Sequence, residues 1–145
     1  MIFLDTDIFL RYLTRDDPDK SQACLALLQR IQAGEEATTS EVVLAEVVFV
    51  LSSPRQYTLN HADVSARLRP VLLLRGLKVP NKRRLLRALD LYATYIQLDF
   101  EDCLTAAQIE QQGIARLMSY DRGFDRVPGI LREEPSVSQP SQPAS

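Results

Sequence analysis

The chain has 145 residues, 46% of them hydrophobic and 25% charged, which is the composition of an ordinary globular protein and enough length for one domain with its own core. Its 17 Lys and Arg residues and 19 Asp and Glu residues give a formal net charge of −2. This balance excludes a polycation that coats nucleic acid with its whole surface, although a local basic patch is compatible with it.

The cysteines, the single histidine and the N-terminus exclude further classes. Cys24 and Cys103 lie in apolar stretches without a CxxC pair, and His61 lies in a polar segment, so neither a disulfide scaffold nor a zinc site is expected. We expect reduced, buried thiols and a surface histidine in a cytoplasmic protein. Asp5 and Asp7 interrupt the apolar N-terminus, which lacks the basic start of a signal peptide. No run is long and apolar enough to cross a bilayer, so no membrane partner is expected.

In the first half of the chain, short apolar runs alternate with helical patterns. Capping residues, a proline at a first helical position and a closing glycine mark the helix ends. The predicted elements are, in order, a buried strand over 2–4, a helix that Thr6 or Asp7 caps and that runs through Tyr12, a helix from Asp17-Pro18 to Gly34, a strand over 37–39, and a helix from Ser40 to Pro54.

The second half continues the alternation. Short strands that alternate with helices predict an α/β sandwich with a parallel sheet. The predicted elements are a helix from Asn60 towards Leu74, a turn with a short strand over 76–80, a helix from Asn81 with Leu85, Leu89, Tyr92 and Ile96 on its apolar side, a helix that Asp99 caps and that ends near Gly113, and a strand over 114–118.

The C-terminal residues differ in composition from the rest of the chain. From Glu133 onward, Pro, Ser and Gln dominate, and such a segment lacks the apolar residues that a core needs. We therefore expect one domain over residues 1–132 and a disordered tail over 133–145.

Two acids follow predicted strands. Asp5 comes directly after the first strand, and Asp121 lies just beyond the last. Ligands of open parallel sheets bind at the carboxyl ends of the strands, so both residues are candidates for a site there. For each acid taken alone, an ordinary turn or helix cap is the favoured interpretation.

Glu46 lies in the middle of the helix over 40–53, which is apolar nearly all round and is therefore expected to be central. An ionised carboxylate among apolar helical neighbours is costly unless a partner compensates its charge. An ion pair with Arg11 and a metal ion are the two alternatives, and the metal ion is favoured because a mid-helix acid cannot be a cap.

Asp99 and Asp102 lie three residues apart at the start of a predicted helix. Asp99 is explained as the N-cap. Asp102 either interacts favourably with the helix dipole or belongs to a site beside the small residues Thr105 and Ala106. Several carboxylates without a nearby histidine suit Mg²⁺, which prefers oxygen ligands and supports phosphodiester hydrolysis.

These residues resemble the motifs of PIN-domain nucleases, especially the VapC-type ribonuclease toxins of toxin–antitoxin pairs. The matching segments are LDTDIFLRYL, SEVVLAEVVFVL and LDFEDCLTAAQIEQQGIARLMSYDRGFDRVPGI, in that order. The resemblance implies a three-layer α/β/α sandwich with a short central parallel sheet, Mg²⁺ or Mn²⁺, RNA as substrate, a homodimer and a cognate antitoxin. It implies that the catalytic, metal-binding acids are Asp5, Glu46, Asp102 and Asp121.

Neighbouring residues have less certain roles under this resemblance. Asp7 stands where the family often has Asn, and either adds a metal ligand or caps a helix; capping is favoured. Asp99 is a candidate auxiliary ligand, and Gly123 replaces an acidic or polar residue often found in the family. Thr6 and Ser119 flank the acids and either hydrogen-bond a metal ligand or make local backbone bonds.

Cations near these motifs are candidates for RNA backbone contacts. Arg122 is the first choice, because it follows Asp121 directly, whereas the run after Asn81 is equally compatible with a solvated helix face. Tyr12 and Tyr57 are candidates for base stacking, as are Tyr92 and Tyr95, for which core or dimer packing is favoured. Leu10, Leu13 and Leu27 are candidates for an antitoxin groove. The candidate RNA-binding cations are Lys78, Lys82, Arg83, Arg84, Arg116, Arg122 and Arg126.

Three alternative functions remain open. A PIN nuclease that is not a toxin and an inactive PIN-like RNA-binding module share the same motifs. The segment Asp5-Thr6-Asp7 also resembles the start of haloacid-dehalogenase-type phosphatases, but Phe9 stands where that motif has Thr or Val. No later Gly-Asp-x-x-x-Asp segment follows, and the phosphatase interpretation leaves Glu46 unexplained.

Overall fold

The structure is a computed structural model that describes residues 1–137; residues 138–145 of the predicted tail lie outside the described residues. Helices make up most of the described chain, and the third helix packs not only against the fourth, its neighbour in sequence, but also against the first and the sixth. The helices are α1 (Thr6–Thr14), α2 (Pro18–Gln32), α3 (Glu41–Ser52), α4 (His61–Leu72), α5 (Lys82–Thr94), α6 (Phe100–Gln112) and a 3-10 helix (Arg122–Arg126).

The strands are short and pair in parallel, as predicted. They are β1 (Ile2–Phe3), β2 (Ala37–Thr38), β3 (Arg116–Met118) and β4 (Leu131–Glu133). In the described chain they form two two-stranded sheets, β1 with β2 and β3 with β4, and Leu77 adds an isolated parallel bridge to Ala37. Strands of two or three residues carry too little pattern for the sequence to show which of them pair.

Strand β4 lies in a segment for which the sequence predicted no element. It includes Glu133, so the predicted domain boundary at residue 132 falls inside a strand. The Arg116 guanidinium forms an ion pair with the Glu133 carboxylate across β3 and β4. An exposed strand of two charged residues and one leucine gives no hydrophobic alternation, which is why the pattern missed it.

Four predicted helix caps are confirmed. The side chains of Asp17, Ser40, Asn60 and Asp99 each accept a hydrogen bond from the backbone N–H three residues later. The N-cap residue of α1 is Asp5, and the helix begins at Thr6. The prediction that Thr6 or Asp7 caps this helix is therefore wrong. The Asp5 side chain makes no capping hydrogen bond, which leaves its carboxylate available for other contacts.

Helix α3 is buried on one side only. It contributes Leu44, Val47 and Leu51 to the core, but Val42 is 78% exposed and Phe49 is 70% exposed. The prediction of a central helix is therefore wrong for this face. When a helix is apolar on all sides, its sequence does not show which side will be exposed to solvent.

The core prediction for α5 is correct up to the helix end. Leu85, Leu89 and Tyr92 are buried, whereas Ile96 is 76% exposed. Helix α5 ends at Thr94, and the backbone then leaves the helical conformation, so Ile96 is no longer on the predicted face.

His61 is more than a surface residue. Its ring stacks on Tyr92 with centroids 3.8 Å apart, and its Nε2 lies 2.9 Å from the carbonyl oxygen of Leu98. The expectation of buried, reduced Cys24 and Cys103 is confirmed. Among the described residues, none of the helices has the length and hydropathy needed to cross a membrane.

Candidate active site

The fold places the four predicted acids on different elements. Asp5 directly follows β1, Asp102 lies in the first turn of α6, and Asp121 precedes the 3-10 helix after β3. Glu46 lies mid-way along α3. Strand ends and helix starts thus supply three of these carboxylates, as the sequence predicted.

Glu46 is exposed, and its partner is Thr6. The Thr6 hydroxyl donates a 2.8 Å hydrogen bond to Oε2 of Glu46, and Thr6 itself is buried. The predicted alternative partner, Arg11, instead forms a 3.0 Å ion pair with Asp16. The expectation that Glu46 is surrounded by apolar side chains is wrong, because Val42 and Phe49 beside it face solvent.

Asp102 lies against two other carboxylates. Burial, followed by the neighbouring Asp99 and Asp121, raises the pKa of Asp102 to about 7. Asp99 also caps α6 by accepting a 2.8 Å hydrogen bond from the Asp102 N–H. Such crowding of acids is costly unless a proton or a cation is shared, so this end of α6 has the donor set that a divalent cation prefers.

The backbone fixes Asp121 in place. Its N–H donates to the Ser119 hydroxyl at 3.0 Å, and its Oδ1 accepts a 2.8 Å hydrogen bond from the Gly123 N–H. A Cβ at Gly123 would lie 2.9 Å from the Leu98 side chain and 3.0 Å from Oδ1 of Asp121. A side chain here would require the Leu98 side chain and the Asp121 carboxylate to shift, so glycine lets Asp121 keep its observed position.

Arg132 anchors the same loop, and the sequence gave no indication of it. Its guanidinium donates to the Ser119 carbonyl at 2.9 Å, to Asp125 at 2.7 Å and to Glu134 at 2.6 Å. The side chain is only 12% exposed. Its interactions join β3, the 3-10 helix and β4 just beside Asp121. Arg132 is the last residue of the predicted domain and belongs to no motif that would have identified it.

The acids form two groups. Asp102 interacts with Asp99 and Asp121, whereas Glu46 is linked to α1 through Thr6. Among residues 1–137, no three Asp, Glu, His or Cys side chains are close enough together to hold a metal ion. A joint site for all four acids therefore remains a prediction.

A polar cavity lies beside Glu46. Its volume is about 430 Å³, and side chains of α1, α3 and the segment after α3 line it. Thr6, Asp7 and Glu46 line it together with Gln56 and Tyr57. Asp7 thus shares a cavity with Glu46, and it lies inside the first turn of α1 rather than at the capping position favoured by the sequence.

The candidate RNA-binding cations differ in their partners. Arg122 and Arg83 are exposed and form no ion pair within residues 1–137. Arg116 is held by Glu133, Arg84 donates to Gln111 and lies 3.6 Å from Glu41, and Lys82 donates to the Leu77 carbonyl.

The sequence profile of the PIN domain matches residues 2–130 of this chain. The chain belongs to the PIN domain family. It is 30% identical over 135 residues to a VapC ribonuclease of Mycobacterium bovis, and equally to the ribonuclease VapC13 of Mycobacterium tuberculosis. Each match covers 91% of this chain and 98% of the relative. The predicted family and its PIN-like α/β/α fold are thereby confirmed.

Proposed function

We propose that this PIN-domain protein is a metal-dependent endoribonuclease and the toxin of a type II toxin–antitoxin pair. The observation that carries the proposal is the match of residues 2–130 to the PIN profile, together with the match of 91% of the chain to two proteins named as VapC ribonucleases. The acids at β1, α3, α6 and the loop after β3 are those that the family motifs assign to the active site.

Mg²⁺ or Mn²⁺ is the proposed cofactor. Its ligands would be Asp5, Glu46, Asp102 and Asp121, with Asp99 as an auxiliary. When bound, the ion supplies an activated water and neutralises charge on the scissile phosphate. The raised pKa of Asp102 beside Asp99 and Asp121 supports a cation here, because a divalent ion relieves the repulsion that the crowded carboxylates otherwise suffer.

The other residues orient these acids. The Thr6 hydroxyl holds one oxygen of Glu46, and the Gly123 N–H holds one oxygen of Asp121. In both carboxylates the second oxygen is left for a ligand. Asp5 makes no capping bond, so its carboxylate is similarly available. Hydrogen bonds of this kind fix ligand orientation and are typical of metal sites.

Arg122 is the first candidate for an RNA phosphate contact. It directly follows Asp121, is exposed and has no ion-pair partner within residues 1–137. Arg83 is the next candidate, because it is also exposed and has no ion-pair partner within residues 1–137. The contacts of Arg116, Arg84 and Lys82 within the chain would have to be exchanged for RNA contacts, which makes them weaker candidates.

An apolar groove supports the antitoxin as a partner. It encloses about 470 Å³ between α1, α2 and α4, with Leu13, Leu28 and Val71 among its lining residues. An amphipathic helix of an antitoxin would bury its apolar face there. Of the residues predicted for this groove, Leu13 lines it, whereas Leu10 lines the cavity beside Glu46 and Leu27 packs against the core.

The exposed face of α3 supports a homodimer. Val42 and Phe49 lie on one side of the helix and are 78% and 70% exposed. A second copy that packs on this face would remove both from water. The reduced, buried cysteines are compatible with action in the cytoplasm.

A nuclease assay with two asparagine variants tests the function. Asp102 and Asp63 occupy equivalent positions, each the third residue of its helix. Each donates its backbone N–H to the side chain of the N-cap residue of that helix. Asp102→Asn should abolish metal-dependent RNA cleavage, whereas Asp63→Asn should leave it unchanged. Wild-type cleavage by Asp102→Asn would refute the proposed site. RNA binding without cleavage would favour the inactive binding module, and a phosphorylated Asp5 would favour a phosphatase.

A further inference from the structure

The cavity beside Glu46 has features that metal binding and phosphate hydrolysis do not use. Its lining includes Thr6 and Glu46, and also Arg11, Gln56 and Tyr57. Its volume of about 430 Å³ lies within the range of pockets that hold small ligands, about 300–1,000 Å³. A substrate whose phosphate lies at Glu46 would therefore place its next chemical group in this cavity.

The wall formed by Tyr57 and Arg11 is fixed before any ligand binds. The Tyr57 hydroxyl donates to Oδ2 of Asp16, and Arg11 donates to Oδ1 of the same carboxylate at 3.0 Å. The backbone also ties this segment to α3, since the Leu59 N–H donates to the Leu51 carbonyl at 2.9 Å. Tyr57 is half-buried and held at its hydroxyl, and the flanking Gln56 and Thr58 N–H groups both donate to the Ser53 carbonyl, so little ordering is needed when a ligand arrives.

Gln56 supplies unused hydrogen-bonding groups in the cavity. Its backbone N–H donates to Ser53, but its side chain makes no hydrogen bond within residues 1–137. A primary amide offers two donors and an acceptor on one flat group. Such a group pairs with the edge of a nucleobase.

The charges around the cavity determine what enters it. Asp7 and Glu46 line it, and Arg11, the single cation that lines it among residues 1–137, is already paired with Asp16. A phosphate there would meet an excess of negative charge. An uncharged group with an aromatic face and a hydrogen-bonding edge avoids this electrostatic repulsion. Unpaired RNA bases are such groups, and proteins recognise them by aromatic contact and by hydrogen bonds to their edges.

We propose that this cavity binds one unpaired nucleobase of the RNA, next to the scissile phosphate, with Tyr57 against the base and the Gln56 amide on its edge. The inference rests on the proposed ribonuclease function, and it makes Gln56 a residue that determines sequence preference. The catalytic acids set whether the RNA is cut, and this cavity sets where.

The test compares Gln56→Ala with Gln22→Ala, since both glutamines are exposed and neither side chain is hydrogen-bonded within residues 1–137. Each variant cleaves a single-stranded RNA of random sequence with Mn²⁺, and the cut ends are sequenced. Gln56→Ala should flatten the base preference at one position beside the cut and raise KM about tenfold with kcat little changed. Gln22→Ala should match the wild type. Tyr57→Leu should raise KM, and Tyr57→Phe, which keeps the ring, should do so much less.

A second arm needs no turnover. Uncharged nucleosides are titrated into the ¹⁵N-labelled protein, with inorganic phosphate as the comparison. Nucleosides should shift the Gln56 side-chain amide signal, and phosphate should not. If the wild type cuts RNA but Gln56→Ala keeps its sequence preference and KM, the base site is refuted while the ribonuclease stands. If the wild type cuts no RNA with any divalent metal, the proposed function fails and the base site fails with it.

Discussion

The Thr6 hydroxyl donates a 2.8 Å hydrogen bond to Oε2 of Glu46 and so joins the first turn of α1 to the middle of α3. The two residues are 40 positions apart in sequence. Because Asp5 immediately precedes Thr6, this bond sets the position of Glu46 relative to Asp5 as well. The bond therefore couples two of the proposed metal ligands.

Thr6→Val should lower kcat/KM for RNA cleavage by about 10- to 100-fold, because Glu46 loses the hydrogen bond that orients it. Thr6→Ser keeps the hydroxyl and should retain most activity. Thr14→Val is the matched control, since the Thr14 hydroxyl donates to the Leu10 carbonyl within the same helix. Steady-state cleavage of a fluorogenic RNA measures all three variants. Equal activity of Thr6→Val and wild type would contradict the role of Thr6.

The pKa of Asp102 predicts an unusual pH dependence of stability in the metal-free protein. Burial, Asp99 and Asp121 raise this pKa from 3.8 to about 7. Between these values the folded chain holds a proton that the unfolded chain has lost, so this group lowers the free energy of unfolding as pH rises from about 4 to 7. After solvent screening we expect about 1–2 kcal/mol, or about 3–6 °C in Tm.

Asp102→Asn tests this contribution, because it removes the carboxyl group whose pKa is raised and relieves its repulsion with Asp99 and Asp121. The variant should be more stable than the wild type at pH 8 in EDTA, and the difference should vanish near pH 4. Thermal melts across this range provide the measurement. Asp63→Asn should show no such pH-dependent difference, and a constant offset for Asp102→Asn would disprove the raised pKa.

Divalent metal should reverse that order of stability. Mn²⁺ at 100 times its dissociation constant stabilises the folded state by about 2.7 kcal/mol. The wild type should therefore gain Tm in Mn²⁺, whereas Asp102→Asn should gain much less. The same melts with Ca²⁺ and with no metal serve as comparisons. An equal gain for both proteins would place the ion elsewhere.

Arg132 should stabilise the loop that carries Asp121. Arg132→Gln removes hydrogen bonds to Ser119, Asp125 and Glu134, which should lower the Tm of the protein. Arg30→Gln is the control: Arg30 makes a two-bond ion pair with Glu35 but is 60% exposed, so its loss should lower the Tm much less.

Measurements of RNA cleavage show whether Arg132 positions the loop that carries Asp121 or only stabilises the folded protein. Arg132→Gln should lower kcat at a temperature where the variant is fully folded, and Arg132→Lys should recover part of the loss. Lysine keeps the charge but not the planar fork that reaches three acceptors. Unchanged kcat in Arg132→Gln would leave Arg132 as a stabilising residue only.

The exposed face of α3 should form the contact between two copies. Phe49→Glu introduces charge into that contact and should convert a dimer into a monomer in light scattering. Val137→Glu, at another exposed apolar residue, should leave the mass unchanged. A monomeric wild type, or a dimeric Phe49→Glu, would refute this interface.

The local features of the fold were readable from the sequence, and the long-range ones were not. Capping side chains act within four residues, so Asp17, Ser40 and Asp99 were identified correctly. Whether a helix face is buried depends on which distant element packs against it, and the sequence of the helix does not show this. The exposure of Phe49 was therefore not predicted. The acids were identified through their ordered motifs, and Thr6 as a candidate to hydrogen-bond one of them, but no local pattern shows that this acid is Glu46, 40 positions away.

The position of Arg132 has a consequence for the timing of synthesis. Chains emerge from the ribosome from the N-terminus, and domains fold as their residues become available. The loop with Asp121 emerges before Arg132, the residue that ties it to β4. A nascent chain therefore presents its other acids while this loop is still unsecured. The loop that carries Asp121 is therefore tied to β4 only after Arg132 has emerged.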